Sequence, residues 1–209
     1  AGLLELNTIP ERYQKDALND GYFAKLRNEY KYLAHKFNLT PMDYRQWRFL
    51  RLRPQNFPHI RISQLAHLYY QRKAGLSQLV EAASVEDAKK VLATAVTPYW
   101  ETHYTFGSTS VRNDKNLSPF SLNLLCINTV VPILFAYGRH RGEEKYCDRA
   151  FDFLEQLRPE NNYIIRLWQQ CGLVVDNAGD SQALIQLKKE YCDKKECLRC
   201  RFGYEYLKL

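Results

Sequence analysis

Residues 121–137 read Ser121-Leu-Asn-Leu-Leu-Cys-Ile-Asn-Thr-Val-Val-Pro-Ile-Leu-Phe-Ala-Tyr137. Drawn as a helix, this stretch is apolar on most sides. Such a helix needs neighbours packed around it, so it reads as the central helix of the fold. Pro132 lacks an N–H and crowds the preceding turn, which predicts a kink near Asn128. The apolar part, Leu124 to Tyr137, is broken by Asn128, Thr129 and Pro132, and reads as too short and too polar to cross a bilayer. No charged-then-apolar leader opens the chain. The expectation is a cytoplasmic protein without a membrane partner.

On both sides of this stretch the pattern stays helical. Residues 11–19 and 22–38 read as helices, the second with Phe23, Leu26, Tyr30, Leu33 and Phe37 at spacings of three and four. Thr40-Pro41-Met42-Asp43 carries a cap, a first-turn proline and an acid, which predicts a helix to about Leu50. Pro54-Gln-Asn-Phe-Pro58 is a stiff connector. Residues 61–74 then read as a helix burying Ile62, Leu65, Ala66 and Tyr69. A short helix over 76–83 precedes Ser84-Val-Glu-Asp87, a capping box that opens another over about 85–96. Residues 97–120 form one long irregular loop. Helices near 142–157, 160–171, 178–192 and 197–207 complete the chain, with Asn161 and Asn162 suited to start the second of these. No strand pattern emerges. The fold class is mainly α: one compact domain over 1–209, an array of about nine helices.

Charge is concentrated in one place. The 209 residues carry 30 Lys and Arg against 23 Asp and Glu. Between Asp43 and Glu81 there is no acid, while Arg45, Arg48, Arg51, Arg53, Arg61, Arg72 and Lys73 fall there, equal in number to the net charge of +7. Arginine forks suit phosphate or carboxylate. On a helix over 41–50, Arg45 and Arg48 would share a face and repel, so an anionic partner would stabilise them. The first functional reading is therefore a non-catalytic basic domain binding nucleic acid or another polyanion through Arg45, Arg48, Arg51, Arg53 and Arg61. Trp47, Phe57, Tyr69 and Tyr70 are rings available for stacking on bases. The alternative is a helical scaffold whose arginines pair internally with the acid-rich stretch 143–160, and which holds a separate N-terminal region.

Two further groups carry chemistry. Cys192, Cys197 and Cys200 fall within one loop and one turn. With Cys171 as the fourth ligand they would make a zinc or iron–sulfur site; without it they are free or buried thiols. Glu101 and His103, before Gly107-Ser-Thr-Ser110, would make an acid/base pair beside an anion-holding turn if a pocket opened there. That is the enzyme reading. No nucleophile triad, phosphate-binding Gly-Lys-Ser/Thr or His-Glu-x-x-His signature accompanies it.

Several segments together carry a resemblance. They are Ala1-Gly-Leu-Leu4, Trp47-Arg-Phe-Leu-Arg-Leu-Arg-Pro-Gln-Asn-Phe-Pro58, Arg61-Ile-Ser-Gln-Leu-Ala66, Tyr99-Trp-Glu-Thr-His-Tyr-Thr-Phe-Gly107, Asp180-Ser-Gln-Ala-Leu184 and the three late cysteines. The chain resembles the C-terminal half of an uncharacterised family of larger Bacteroidetes-type bacterial proteins. The resemblance implies a preceding N-terminal region and supplies no activity. The opening Ala-Gly-Leu-Leu, with Met42 the only methionine, fits a piece of a longer polypeptide.

Overall fold

A computed structural model describes residues 2–71 and 75–207. These are 65% helical, which fixes the class as mainly α. The chain divides into two compact units, residues 1–73 with 93–117, and residues 74–92 with 118–209. Each unit has its own core.

In the first unit, α1 (Glu11–Leu18) and α2 (Gly21–Phe37) lead to α3 (Pro58–Tyr70). Helix α2 starts where Asp20 accepts hydrogen bonds from the N–H groups of Tyr22 and Phe23, and ends at Asn38 in the left-handed conformation. The helix expected over 41–50 does not form. Asp43 caps a single 3₁₀ turn, Tyr44–Gln46, by accepting from the Arg45 N–H, and Trp47 is already extended. Arg51 then takes a positive φ of 64°. Gly2 presses on the Met42 carbonyl so closely that a Cβ there would sit 2.0 Å from its oxygen. A contact from far along the chain thus fixes the backbone that the local cap signal would have wound.

Helix α3 also turns opposite to expectation. Leu65 and Tyr69 are 53% and 64% exposed, whereas His59, Ile60, Ser63, Gln64 and Leu68 are buried. Gln64 on that face has specific partners: its side-chain amide donates to the Lys115 carbonyl (2.6 Å), and its main-chain carbonyl accepts from Thr94 Oγ1 (3.3 Å). Those bonds outweigh the apolar stripe in setting which side faces inward.

The expected loop over 97–120 holds regular structure. One turn of helix, α6 (Pro98–Glu101), runs into a hairpin of β1 (His103–Thr105) and β2 (Ser108–Thr109). His103 pairs with Thr109, and Thr105 with Ser108. Two or three residues per strand are too few for alternation to show. Phe106 and Trp100 close the core over Ile9, Ala17, Phe23, Ile60 and Val96.

In the second unit, α4 (Leu76–Glu81) and α5 (Val85–Leu92) are joined at Ser84. Its hydroxyl accepts from the Asp87 N–H and donates to the Asp87 carboxylate, the expected cap. The central helix is continuous from Pro119 to Arg141. It comprises α7 (Pro119–Leu125), a π turn over Cys126–Val130, and α8 (Val131–Arg141). The wider turn lies just ahead of Pro132 and absorbs the missing N–H, and Asn128 Nδ2 donates to the Leu124 carbonyl (3.0 Å). With 23 residues and a mean hydropathy of 1.7, this helix is long and apolar enough to span a bilayer, unlike the shorter stretch read from sequence. Cys126, Ile127, Val130, Val131 and Leu134 set one side of it in the core of the unit, while only 28% of its apolar window is buried, short of the all-round packing expected.

Helix α9 (Glu144–Gln156) packs tightly on α8, with Gly138 making room for Cys147: a Cβ at Gly138 would meet its sulfur at 2.8 Å. Arg149 donates to the carbonyls of Val80 (3.0 Å) and Ala82 (3.2 Å), satisfying the end of α4. Helices α10 (Tyr163–Gln170), capped by Asn162, and α11 (Ala178–Leu187), capped by Asn177, follow; a π turn and α12 (Arg201–Leu207) end the unit.

Candidate polyanion interface

Without a helix over 41–50, Arg45 and Arg48 share no helical face. Residues 44–57 run as an irregular strap, anchored where Phe49 packs on Phe57 (5.4 Å between centroids) and on His59 (5.4 Å). Those two inward rings leave Arg45, Arg48, Arg51 and Arg53 exposed. Arg45 leans over the Tyr44 ring at 5.8 Å. No ion pair among the described residues involves Arg48, Arg51 or Arg53. Arg61 differs from these four. It is half-buried and donates to Asn56 Oδ1 (2.7 Å) and Gln64 Oε1 (3.0 Å), fastening the 54–56 turn onto α3. Burial lowers its pKa. Arg72 and Lys73 lie outside the described residues.

Behind the strap lies an aromatic centre that sequence reasoning missed. His59 is 4% exposed, stacked near Trp100 (5.8 Å) and edge-on to Phe106 (5.3 Å). Neither ring nitrogen has a hydrogen-bond partner among the described residues, nor does Ser63 Oγ one turn later. Burial pushes the His59 pKa down to about 4. Lys115 is 3% exposed. Its ammonium donates to the carbonyls of Trp100, Glu101 (2.9 Å) and His103 (3.1 Å), and lies 4.0 Å from the Tyr104 ring centroid. It ties together the end of α6 and the first strand. Burial lowers the Lys115 pKa, with Glu101 opposing the shift.

Glu101 and His103 are engaged separately. The Glu101 carboxylate meets Arg112 (2.7 Å). His103 stacks on Tyr99 at 3.9 Å, and its Nδ1 donates to the Tyr99 carbonyl (2.8 Å). The Tyr99 hydroxyl donates to Asp20; burial first, then this bond, raises the Tyr99 pKa. The turn at 107–110 is also occupied. Gly107 lies against the backbone of α1, and Ser110 spends both its N–H (2.7 Å) and its hydroxyl (3.1 Å) on the Thr102 carbonyl.

Cys192, Cys197 and Cys200 line one cavity of about 230 Å³ with Trp168, Leu184 and Tyr191, a wall almost wholly apolar. Cys171 is not part of that lining. All six cysteines are free, and among the described residues no three His, Cys, Asp or Glu side chains are gathered to hold a metal ion. Burial is the main cause raising the Cys192 pKa, reinforced by Cys200 and Cys197. Burial pushes Cys126 up to about 11. The thiolate is the reactive form. Iodoacetamide mapping of native protein at neutral pH is expected to label the exposed Cys171 early and Cys126 only after denaturation. Early labelling of Cys126 would contradict its burial.

No curated protein and no solved structure matches the chain. One family model matches residues 1–163, which takes in the strap, the aromatic centre and the hairpin. Asp180–Leu184 and the three late cysteines fall outside the matched span. That span exceeds half of the chain, and on it the chain belongs to the family described as "Protein of unknown function (DUF2851)".

Proposed function

We propose that this protein binds nucleic acid, or a polyanion of like charge density, on the strap over residues 44–57. The observation that carries this reading is the exposure of Arg45, Arg48, Arg51 and Arg53 on a strap held down by two aromatic anchors. Four cations on a short pinned segment repel one another, and a phosphate backbone relieves that repulsion. The acid-rich stretch that could have neutralised them is partly served locally: Glu143 pairs with Lys145 (2.6 Å) and Arg141 (3.5 Å). Those pairings lower the Glu143 pKa, Lys145 foremost. This favours polyanion binding over internal pairing.

Counterion release sets the expected result. With four phosphate contacts on a single strand, the log of affinity should fall against the log of salt with a slope of about −3. Replacing Arg45, Arg48, Arg51 and Arg53 by Gln should flatten that slope and weaken binding at least ~10-fold at low salt. Arg61→Gln should leave the slope unchanged, because that guanidinium is committed to Asn56 and Gln64. Fluorescence anisotropy across a salt series reads all three. Negligible binding at low salt would end this reading.

A further inference from the structure

The strap forms one wall of an open groove of about 730 Å³, a volume in the range of small-ligand sites. Phe49, Pro54 and Phe57 line it from the strap, Tyr13 and Gln14 from α1, and Tyr104 from β1. Arg48 precedes Phe49 and Arg53 precedes Pro54, so the exposed cations and the groove wall alternate along the same few residues. Arg12, also in the wall, lies over the Tyr13 ring at 4.6 Å.

Resting on the polyanion reading above, we propose that this groove takes an unpaired base of single-stranded nucleic acid, with the adjoining phosphates on Arg48, Arg51 and Arg53. The wall chemistry selects a base. Phe57 and Tyr104 contribute rings to the wall, Tyr104 with one face already taken by the Lys115 ammonium, and a remaining ring face suits stacking, which is tolerant of sequence because every base has a π-face. Thr8 is also in the wall; its hydroxyl donates to the Glu5 carbonyl (2.7 Å) and keeps acceptor capacity for a base-edge N–H. Glu11 and Arg12 both line the groove and together add no net positive charge, which leaves the phosphates to the exposed arginines of the strap. A duplex keeps its bases stacked and cannot present one to the groove without first unpairing it.

The test compares three probes of equal length with the full chain: a single-stranded oligonucleotide, its duplex, and a single strand with abasic sites at most positions. The expected result is ~5- to 150-fold tighter binding of the intact single strand than of the abasic strand, from ~1–3 kcal/mol of base stacking. Ser108→Trp, which fills the groove without removing a packing side chain, should erase that difference and leave abasic binding unchanged. Asn7→Trp, placed at an exposed position of the same wall, repeats the test should the first variant misfold. Equal affinity for intact and abasic strands, with binding still lost in the arginine variants, overturns the groove proposal alone. Absence of binding to every probe at low salt overturns the polyanion reading as well.

Discussion

Lowering the pH from 7 to about 4 is expected to remove about 3 kcal/mol of stability from the first unit through His59 alone. The free imidazole titrates near 6.5, and burial in the aromatic centre pulls the folded value to about 4. A depressed folded pKa means that the unfolded chain binds the proton more tightly between those values. Stability is therefore complete above about 6.5 and falls steadily as pH drops to about 4, at about 1.4 kcal/mol per pH unit. Among the described residues, no carboxylate or carbonyl is bonded to the ring to offset the charge once it forms. His59→Phe keeps an aromatic ring between Phe49, Trp100 and Phe106 and removes the titration. Urea unfolding at pH 7.5 and 4.5, with hydrogen exchange of the α3 amides reporting on this unit, should show a steep acid loss in the natural sequence and a shallower one in the variant. Parallel pH dependence in both proteins would refute the assignment.

Gly107→Ala is expected to cost about 3 kcal/mol. The residue has φ +72°, and a Cβ there would lie 2.5 Å from the Tyr13 carbonyl oxygen and 2.6 Å from the Ala17 N. The left-handed backbone contributes ~1–2 kcal/mol and the collision ~1–3 kcal/mol, because both opposing atoms are main chain and cannot rotate away. Gly142→Ala separates the two effects: φ is +68° there, but nothing stands within 4 Å. That variant should lose only ~1–2 kcal/mol. Equal losses in denaturant titrations of the two proteins would show that the seat of the hairpin on α1 contributes nothing.

Much of this fold is written locally and was legible for that reason. Helix α2, the Ser84–Asp87 cap and the Asn162 start depend on residues within one turn of each other. The failures share the opposite cause. Gly2 overrules the Thr40–Asp43 start from the far end of the segment. Periodicity reads the face of α3 from hydrophobicity, yet Gln64 buries itself to reach Lys115, more than fifty positions later. The candidate site was legible in part. The acid-free run and its aromatic rings could be seen in sequence, but the groove could not, since residues 7–14, 49–57 and 104–108 build it jointly. Lys115 sits in Asn113-Asp-Lys-Asn116, a string that looks solvated and whose cation is buried.

That buried cation bears on how the binding experiments can be run. Surface charge pairs weaken as mobile ions crowd between them. Among the described residues, the Lys115 ammonium meets no counter-charge directly; it faces three carbonyl dipoles and a ring at contact distance, where dissolved ions do not enter. Such ion–dipole attraction is largely indifferent to ionic strength. The clasp between α6 and the hairpin should therefore hold at the high salt concentrations that strip a ligand from the strap. A salt titration then reads the exposed arginines against a scaffold that stays constant beneath them.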